Sequence, residues 1–419
     1  MTRKQKGDDH PKEDERVTTI REEARDLPLR GRYDVIVCGG GVAGIAAALA
    51  SARCGAKTLL IEREYALGGL ATLGLITIYL PLCDGLGRQC SFGIAEELLR
   101  LSISRGAEDL YPDAWLDGVD PEARKKQRFQ VRFSANVFAL LCEEKLRDAG
   151  VETLFGVSVC GGALKGGRVT RLVCEGRDGR FWLACGSAVD ATGDAVLCRA
   201  LGLDCAPYRW GNTLPSWYYY LRDGRLHLQM LGYAENPNQP DPDDETNPAV
   251  DMSQPHFGGL DSFEVSRMTE AAHRQLLDHF FARGDVSDGY ALTAIPTVPQ
   301  LRMTARLVGE ATPDVADAHV YVPESIGLIS DWRRAGPVYE IPYGSLYCGR
   351  VDNLWAAGRM ISVSDRLWDV SRVIPACAVT GQAAGTAAAL SRGGERPDYM
   401  ILADRLRADG VILHERDLP

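Results

Sequence analysis

The residues from Tyr33 to Glu62 constrain this chain more than any other stretch. Tyr33-Asp34-Val35-Ile36-Val37-Cys38 is a short, β-rich apolar run. Gly39-Gly40-Gly41-Val42-Ala43-Gly44 follows, and then Ile45-Ala46-Ala47-Ala48-Leu49-Ala50, a run of good helix formers. A second apolar run, Thr58-Leu59-Leu60-Ile61, ends in Glu62. This is strand, glycine turn, helix, and strand with a terminal acid. In Gly39-x-Gly41-x-x-Gly44 the first glycine permits the tight turn, the second lets a pyrophosphate approach the backbone, and the third lets the helix pack on the strand. The helix N-terminus, with the amides of Val42 and Ala43, offers N–H groups and a positive dipole end to the phosphates. Glu62 stands 18 residues after Gly44, where a carboxylate accepts the hydroxyls of an adenosine ribose. The pattern predicts a bound dinucleotide. An acid there repels the extra phosphate of NADP but suits NAD and FAD equally.

Composition narrows the classes around this core. At about 7% average usage a chain of this length carries roughly 29 glycines; this one carries 44 of 419 residues, and twelve fall in the segments 39–44, 68–74 and 156–167. A net charge of −10 gives no field to attract nucleic acid. The twelve cysteines are scattered without C-x-x-C spacing, so free thiols are expected, with no zinc ribbon and no iron–sulfur run. The histidines from His227 to His414 show no H-x-x-x-H or H-E-x-x-H spacing, and no metal site is expected. Residues Met1 to Arg16 are charged and lack an apolar signal core, and no run of 18 apolar residues exists to span a membrane. A cytoplasmic location is the expectation.

At roughly 150 residues per domain, the length suits two to three domains or one α/β unit with an inserted lobe. Met1 to Val17 reads as a charged tail. Ser134 to Ala149 reads as an amphipathic helix, with Ser134 as cap and Gly150 as stop. Val151–Val159, Arg168–Cys174, Arg180–Leu183 and Ala188–Ala191 read as a strand followed by an antiparallel meander. From Cys205 to Tyr343 the text turns to prolines and aromatics, including Trp217 to Tyr220, which reads as strand packing, and the loop from Asn236 to Pro242. Asn353 to Gly358 is then another strand into a turn, and a small-residue helix runs from Pro375 to Ser391. The expected division is a tail at 1–17, a discontinuous nucleotide-binding domain at 18–204 and 344–419, and a substrate lobe at 205–343.

From about Thr18 onward the chain resembles the FAD-dependent oxidoreductase family of the glutathione-reductase-like flavoproteins, a group that also looks like the flavin half of the heterodisulfide reductase flavoprotein. The resemblance is carried by residues 33–41, the Gly-Gly-x-Ala-Thr-x-Gly loop at 68–74, Asp190-Ala191-Thr192-Gly193-Asp194-Ala195, Pro299-Gln300-Leu301-Arg302 with Arg306, Tyr339 to Tyr343, Asn353 to Ser362, and Arg372-Val373-Ile374-Pro375 leading to Gly381-Gln382-Ala383-Ala384-Gly385. It implies an α/β fold: a Rossmann-like FAD-binding domain of three-layer ββα architecture with an inserted α+β substrate lobe. It also implies one FAD. Around that FAD the resemblance places Gly39, Gly41, Val42, Ala43, Gly44, Glu62 on the ribose, Arg63, Gly69, Leu70, Ala71, Thr72, the backbone near Val159 at adenine, Ala191, Thr192, Gly193, then Gly358 and Arg359 near the ribityl chain, and Ile374 and Pro375. Val42 replaces the family's usual proline, whose side chain is not the reading group. The ferredoxin-like cysteine run of the heterodisulfide reductase flavoprotein is absent, so no cluster is carried over.

Three arginines are the candidates for catalysis. Arg372 precedes a helix whose N-terminus faces the flavin, where a positive end favours the negative charge of reduction. Leu301 to Leu307 alternates apolar and polar and reads as a strand; positions four apart share a face in a strand and in a helix alike, so Arg302 and Arg306 are expected on one face. Such a pair suits a substrate carboxylate; the alternative is a solvated face paired with local acids. Gly381 and Gly385, one turn apart, also suit close helix packing. No second strand–GxGxxG–helix unit is present, which favours a dehydrogenase or oxidase over a two-nucleotide reductase. The expected activity is hydride transfer between a small organic substrate, anionic if the arginines hold it, and flavin N5, with an external electron acceptor. The alternatives are a flavin monooxygenase and a non-autonomous flavin-binding electron-transfer subunit. A homo-oligomer is left open.

Overall fold

A computed structural model describes residues 20–105, 121–126, 130–232, 255–287, 289–391 and 393–419. The tail at 1–17 and the loop from Asn236 to Pro242 lie outside the described residues. Leu29–Cys38 is strand β1, Val42–Arg53 helix α1 and Thr58–Glu62 strand β2. Further strands of the main sheet are β3 (Glu152–Phe155), β4 (Ser158–Lys165), β5 (Arg168–Gly176) and β6 (Gly179–Asp190). The spatial order is β3-β2-β1-β6-β5-β4. β3, β2, β1 and β6 run parallel, while β4, β5 and β6 form an antiparallel meander. A late strand, Leu354–Ala356, pairs parallel with Ala188–Asp190, beyond the Arg180–Ala184 stretch of β6 that pairs with β5. The nucleotide sheet is thus completed by residues that return late in the chain.

Side-chain alternation gives this sheet two buried faces. Val35 and Val37 enter the same cluster as the residues of α1, while Ile36 and Cys38 enter a second cluster with Val159, Leu172 and Phe181 of the meander. Helices cover one face and the meander the other, the three-layer ββα arrangement of a Rossmann-like FAD-binding domain.

The helix layer is very close-packed. Ile374–Leu390, the buried small-residue helix, lies along α1. A Cβ on Gly381 would stand 2.2 Å from Ala43 O, and one on Gly385 would stand 2.0 Å from Ala47 O. These two glycines serve helix packing. Ala135–Asp148 forms the expected amphipathic helix, with Ser134 at the N-cap position but no side-chain capping bond.

After the short strand β7 (Cys205–Pro207), three strands make a separate antiparallel sheet: β8 (Tyr218–Arg222), β9 (Arg225–Gln229) and β10 (Tyr290–Ala294). The helix Ser262–Phe281 packs against it, and Tyr218, Tyr220, Leu276, Phe280 and Tyr290 form its small core. Tyr218 to Tyr220 are therefore strand packing, as their sequence reads. Ile326, Ile329, Tyr339 and Ile341, from the hairpin Ser325–Ser330 with Val338–Pro342, join the helix-side core of the nucleotide sheet.

Three sequence expectations need correction. Val151–Val159 is two strands, because Val157 N–H bonds Glu62 O and the chain then leaves for the meander. Arg180–Leu183 and Ala188–Ala191 fuse into the single strand β6, held on one edge by β1 and on the other by β5. Leu301–Leu307 is strand only over Ala305–Leu307, where β7 supplies a partner. All twelve cysteines are free. No single helix among the described residues is long and apolar enough to cross a membrane.

Gly385→Ala is expected to destabilise the protein by about 1–3 kcal/mol, the usual cost of overpacking, because the atom it meets is backbone. A thermal melt with an unchanged midpoint would refute the packing role.

Candidate functional site

The site lies where β1 and β6 end side by side. Strand order reverses about β1, and ligands of such sheets bind in the crevice beyond the strand carboxyl ends. The three motif glycines do different work there. Gly39 has φ +103, and a Cβ on it would meet Ala191 O at 2.5 Å. A Cβ on Gly44 would stand 1.8 Å from Gly39 O, so α1 could not approach its own strand. Gly41 has ordinary angles, φ −68 and ψ 178, and a Cβ there would meet no atom within 4 Å. Nothing among the described residues requires its lack of a side chain, which leaves that space to a ligand. No side chain caps α1, so its first amides have no intrahelical partner and face the crevice as anion donors.

Two hollows follow. The larger holds about 920 Å³ of empty space out to its open mouth, within the range of ligand sites. The other holds about 520 Å³. They share Gly39, Glu62, Arg63 and Thr192, making one elongated trough. Glu62, 7% exposed, accepts the N–H of Gly40 at 2.5 Å and of Glu64 at 2.9 Å. Burial raises its carboxyl above the usual value, and the two backbone donors hold it partly down.

Of the expected contacts, Gly39, Gly41, Val42, Ala43, Glu62, Arg63, Gly69, Leu70, Ala71, Ala191, Thr192, Gly193, Gly358, Arg359, Arg372 and Ile374 line the larger hollow. Val159 lines the smaller, with Val157 and Ser158. Gly44, Thr72, Pro375, Arg302 and Arg306 line neither. Thr72 is buried and its hydroxyl donates to Leu67 O at 2.5 Å, so it shapes the loop. Pro375 lies buried in the first turn of its helix.

The wall beyond Gly193 is built on Arg359. Its Nε donates to Gly193 O at 2.8 Å, Nη1 to Leu301 O at 2.7 Å and Nη2 to Asp194 Oδ1 at 2.5 Å. Asp190, fully buried beneath the Ala191–Gly193 turn, accepts from Thr192 and Cys198, and burial raises its carboxyl.

At the far end stands the N-terminus of the helix Ile374–Leu390. Arg372 and its partner Asp369 are both almost fully buried, and Nε of Arg372 donates to Asp369 Oδ1 at 2.8 Å. Asp369 Oδ2 has no hydrogen-bond partner among the described residues. Cys377 lines the same end and donates to Arg372 O; burial pushes its thiol up to about 12, so it is no ready nucleophile.

The other two arginines do not meet as a pair. Arg302, 2% exposed, donates to Gln300 O at 2.9 Å and lies over Trp217. Arg306 pairs with Asp365 at 3.6 Å and faces the Trp368 ring. The shared face fails because Arg302 precedes the strand. Sequence reasoning missed Glu64, Gly68, Asp194, Val298, Pro299, Leu301, Ala357 and Cys377 on the cleft wall. Asp194 and Leu301 lay inside segments carrying the family resemblance; Cys377 and Val298 carried no separate signal.

A model of the family described as "FAD dependent oxidoreductase" matches residues 34–216 and 315–401. Thioredoxin reductase of Ureaplasma parvum serovar 3 is 29% identical over 72 residues, which is 17% of this chain and 23% of that protein. Among solved structures, a geranylgeranyl bacteriochlorophyll reductase-like protein of Thermoplasma acidophilum aligns with a TM-score of 0.45 at 13% identity, covering 91% of this chain and 84% of that one. The p-nitrophenol 4-monooxygenase PnpA of Pseudomonas putida aligns with a TM-score of 0.46 at 13% identity, covering 90% and 81%. The trough fits FAD: a long hollow, open space at Gly41, uncapped amides at α1 and a buried acid beside them.

Gly41→Ala is expected to leave the melting midpoint of FAD-free protein unchanged and to weaken FAD binding, whereas Gly44→Ala lowers the midpoint itself. Equal effects on both readouts would refute the division of labour. FAD affinity is also expected to fall as pH drops through the raised Glu62 pKa, since the ionised form accepts ribose hydroxyls, and Glu62→Gln to flatten that profile. In FAD-free protein the sign reverses: a raised folded pKa contributes stability below the unfolded carboxyl value that is lost as pH rises through the folded one. Titrations of FAD absorbance and melts across pH read both.

Proposed function

Since the chain belongs to the FAD dependent oxidoreductase family, with FAD as its cofactor, we propose that it oxidises a small organic substrate by hydride transfer to flavin N5 and returns the electrons to an external acceptor. The observation that carries this reading is the far end of the cleft, where the N-terminus of Ile374–Leu390, Arg372 and Cys377 converge. When bound, FAD supplies the two-electron acceptor. The chain's part is to hold and bias it. The α1 amides and Glu62 bind the phosphates and ribose, while Arg359, fastened at three nitrogens, gives the wall a fixed shape.

The helix Ile374–Leu390 has Pro375 in its first turn and no side-chain cap, leaving its positive end for charge that develops in the cleft. Arg372 adds an oriented guanidinium, but Asp369 makes the pair neutral overall. Asp369 is therefore a positioning residue. Removing either partner of so buried a pair leaves an uncompensated charge, and the two removals have opposite signs.

Anaerobic mixing with a panel of hydroxy acids, sugars, amines and neutral alcohols is expected to bleach the flavin band for one class, with colour restored by a small-molecule acceptor. NAD(P)H-dependent oxygen uptake coupled to hydroxylation would replace this reading by a monooxygenase; reoxidation only by a protein partner would replace it by an electron-transfer role within a larger assembly. Asp369→Asn is expected to raise the flavin midpoint potential and Arg372→Gln to lower it. Each shift should be on the order of 30 mV, about 1.4 kcal/mol for a two-electron couple. Shifts of the same sign, read by dye-coupled reduction, would refute the charge argument.

A further inference from the structure

We propose that a hollow adjoining the cofactor cleft receives the body of the substrate and selects an uncharged, mostly apolar molecule. The proposal rests on the flavoenzyme reading above and adds a substrate class to it. The hollow holds about 790 Å³ of empty space between the helix Ser262–Phe281 and the segment Ile295–Gln300. Met268, Leu276 and Val298 form its buried floor. Val298 and Pro299 line both this hollow and the cofactor cleft, so they form a wall common to the two.

That shared wall is tied to the loop of the flavin site. Thr297 N–H donates to Leu73 O at 2.9 Å, and Gln300 Nε2 donates to Gly74 O at 2.5 Å. The two bonds fix the hollow relative to the Gly68–Gly74 loop, whose Gly68, Gly69, Leu70 and Ala71 line the cleft.

The chemistry of the lining selects the ligand. Among the described residues, no Asp, Glu, Lys or Arg lines it. Ser216 Oγ bonds Ala272 O and Gln275 Oε1, Thr269 Oγ1 donates to Val265 O, and the Gln300 side chain is used at both ends by Gly74 O and the Trp217 N–H. His273, exposed at the rim, bonds none of the described residues. An anion entering this hollow would lose water and find no cation among the described residues that line it. An apolar body gains by burial, with one hydrogen-bonding group left for the imidazole at the mouth. Arg302, the residue expected to hold an anion, is buried and committed elsewhere.

The test uses FAD-loaded protein and the matched probes 2-naphthalenemethanol and 2-naphthoate. Calorimetry reports binding independently of the flavin, and the flavin visible band reports proximity to it. The neutral probe is expected to bind at least ~10-fold more tightly than the anion, about 1.4 kcal/mol, and to perturb the band. Ala272→Phe, which fills the hollow without touching the FAD wall, should abolish that preference and leave the unliganded flavin spectrum unchanged. His273→Arg, at an exposed position, should shift preference toward naphthoate. Equal or tighter naphthoate binding by the starting protein, no binding of either probe, or neutral binding untouched by Ala272→Phe overturns the proposal. Calorimetric binding with an unmoved flavin band overturns the substrate assignment. A protein that binds the alcohol in this way but is never bleached by any compound instead overturns the flavoenzyme reading.

Discussion

The distance at which α1 can lie against its neighbours governs the whole nucleotide half. A side chain at Gly44 would strike Gly39 O, and side chains at Gly381 and Gly385 would strike Ala43 O and Ala47 O. With these positions bare, backbone meets backbone on two sides of one helix. The α1 N-terminus is thereby pinned over the ends of β1 and β6, with its first amides at the crevice. Preorganisation of this kind spares a bound anion the cost of ordering its donors.

Around that pinned helix the protein uses fixed polarity in place of mobile charge. The chain is acidic overall, yet its cofactor carries phosphates. Backbone amides at two helix N-termini supply positive potential without a cation to desolvate. Two arginines in the wall are fastened: Arg359 by Gly193, Leu301 and Asp194, and Arg372 by Asp369. Fastened guanidiniums hold shape and orientation well and are poor at capturing a free anion, which is consistent with an apolar hollow next door.

Much of the fold and of the cofactor trough was legible because it is encoded locally. The run from Tyr33 to Glu62 contains its own strand, turn, helix and acid, and each forms as its residues dictate. Catalytic expectations fared differently. Alternation from Leu301 to Leu307 reads as a strand, but a strand needs a partner, and Cys205–Pro207 reaches only Ala305–Leu307. Arg302 accordingly turns into the interior. Thr72 was expected as a cofactor contact and sits in a recognisable loop, yet a hydroxyl's partner depends on the path of the surrounding backbone, and its hydroxyl donates to Leu67 O.

The sequence by itself determined the class of molecule: a dinucleotide-binding α/β fold with glycine where backbone must approach backbone or phosphate, because those demands act over a few neighbouring residues. Tertiary structure alone decided how the side chains at the far end of the cleft are partnered. Val298 and Leu301 come from one stretch and Arg359, Asp369, Arg372 and Cys377 from another, and their partners are set by which side chains satisfy one another once buried. Glu62 shows both levels at once. Its place after the second strand is written in the sequence, whereas its raised pKa arises from the burial that only the assembled fold imposes.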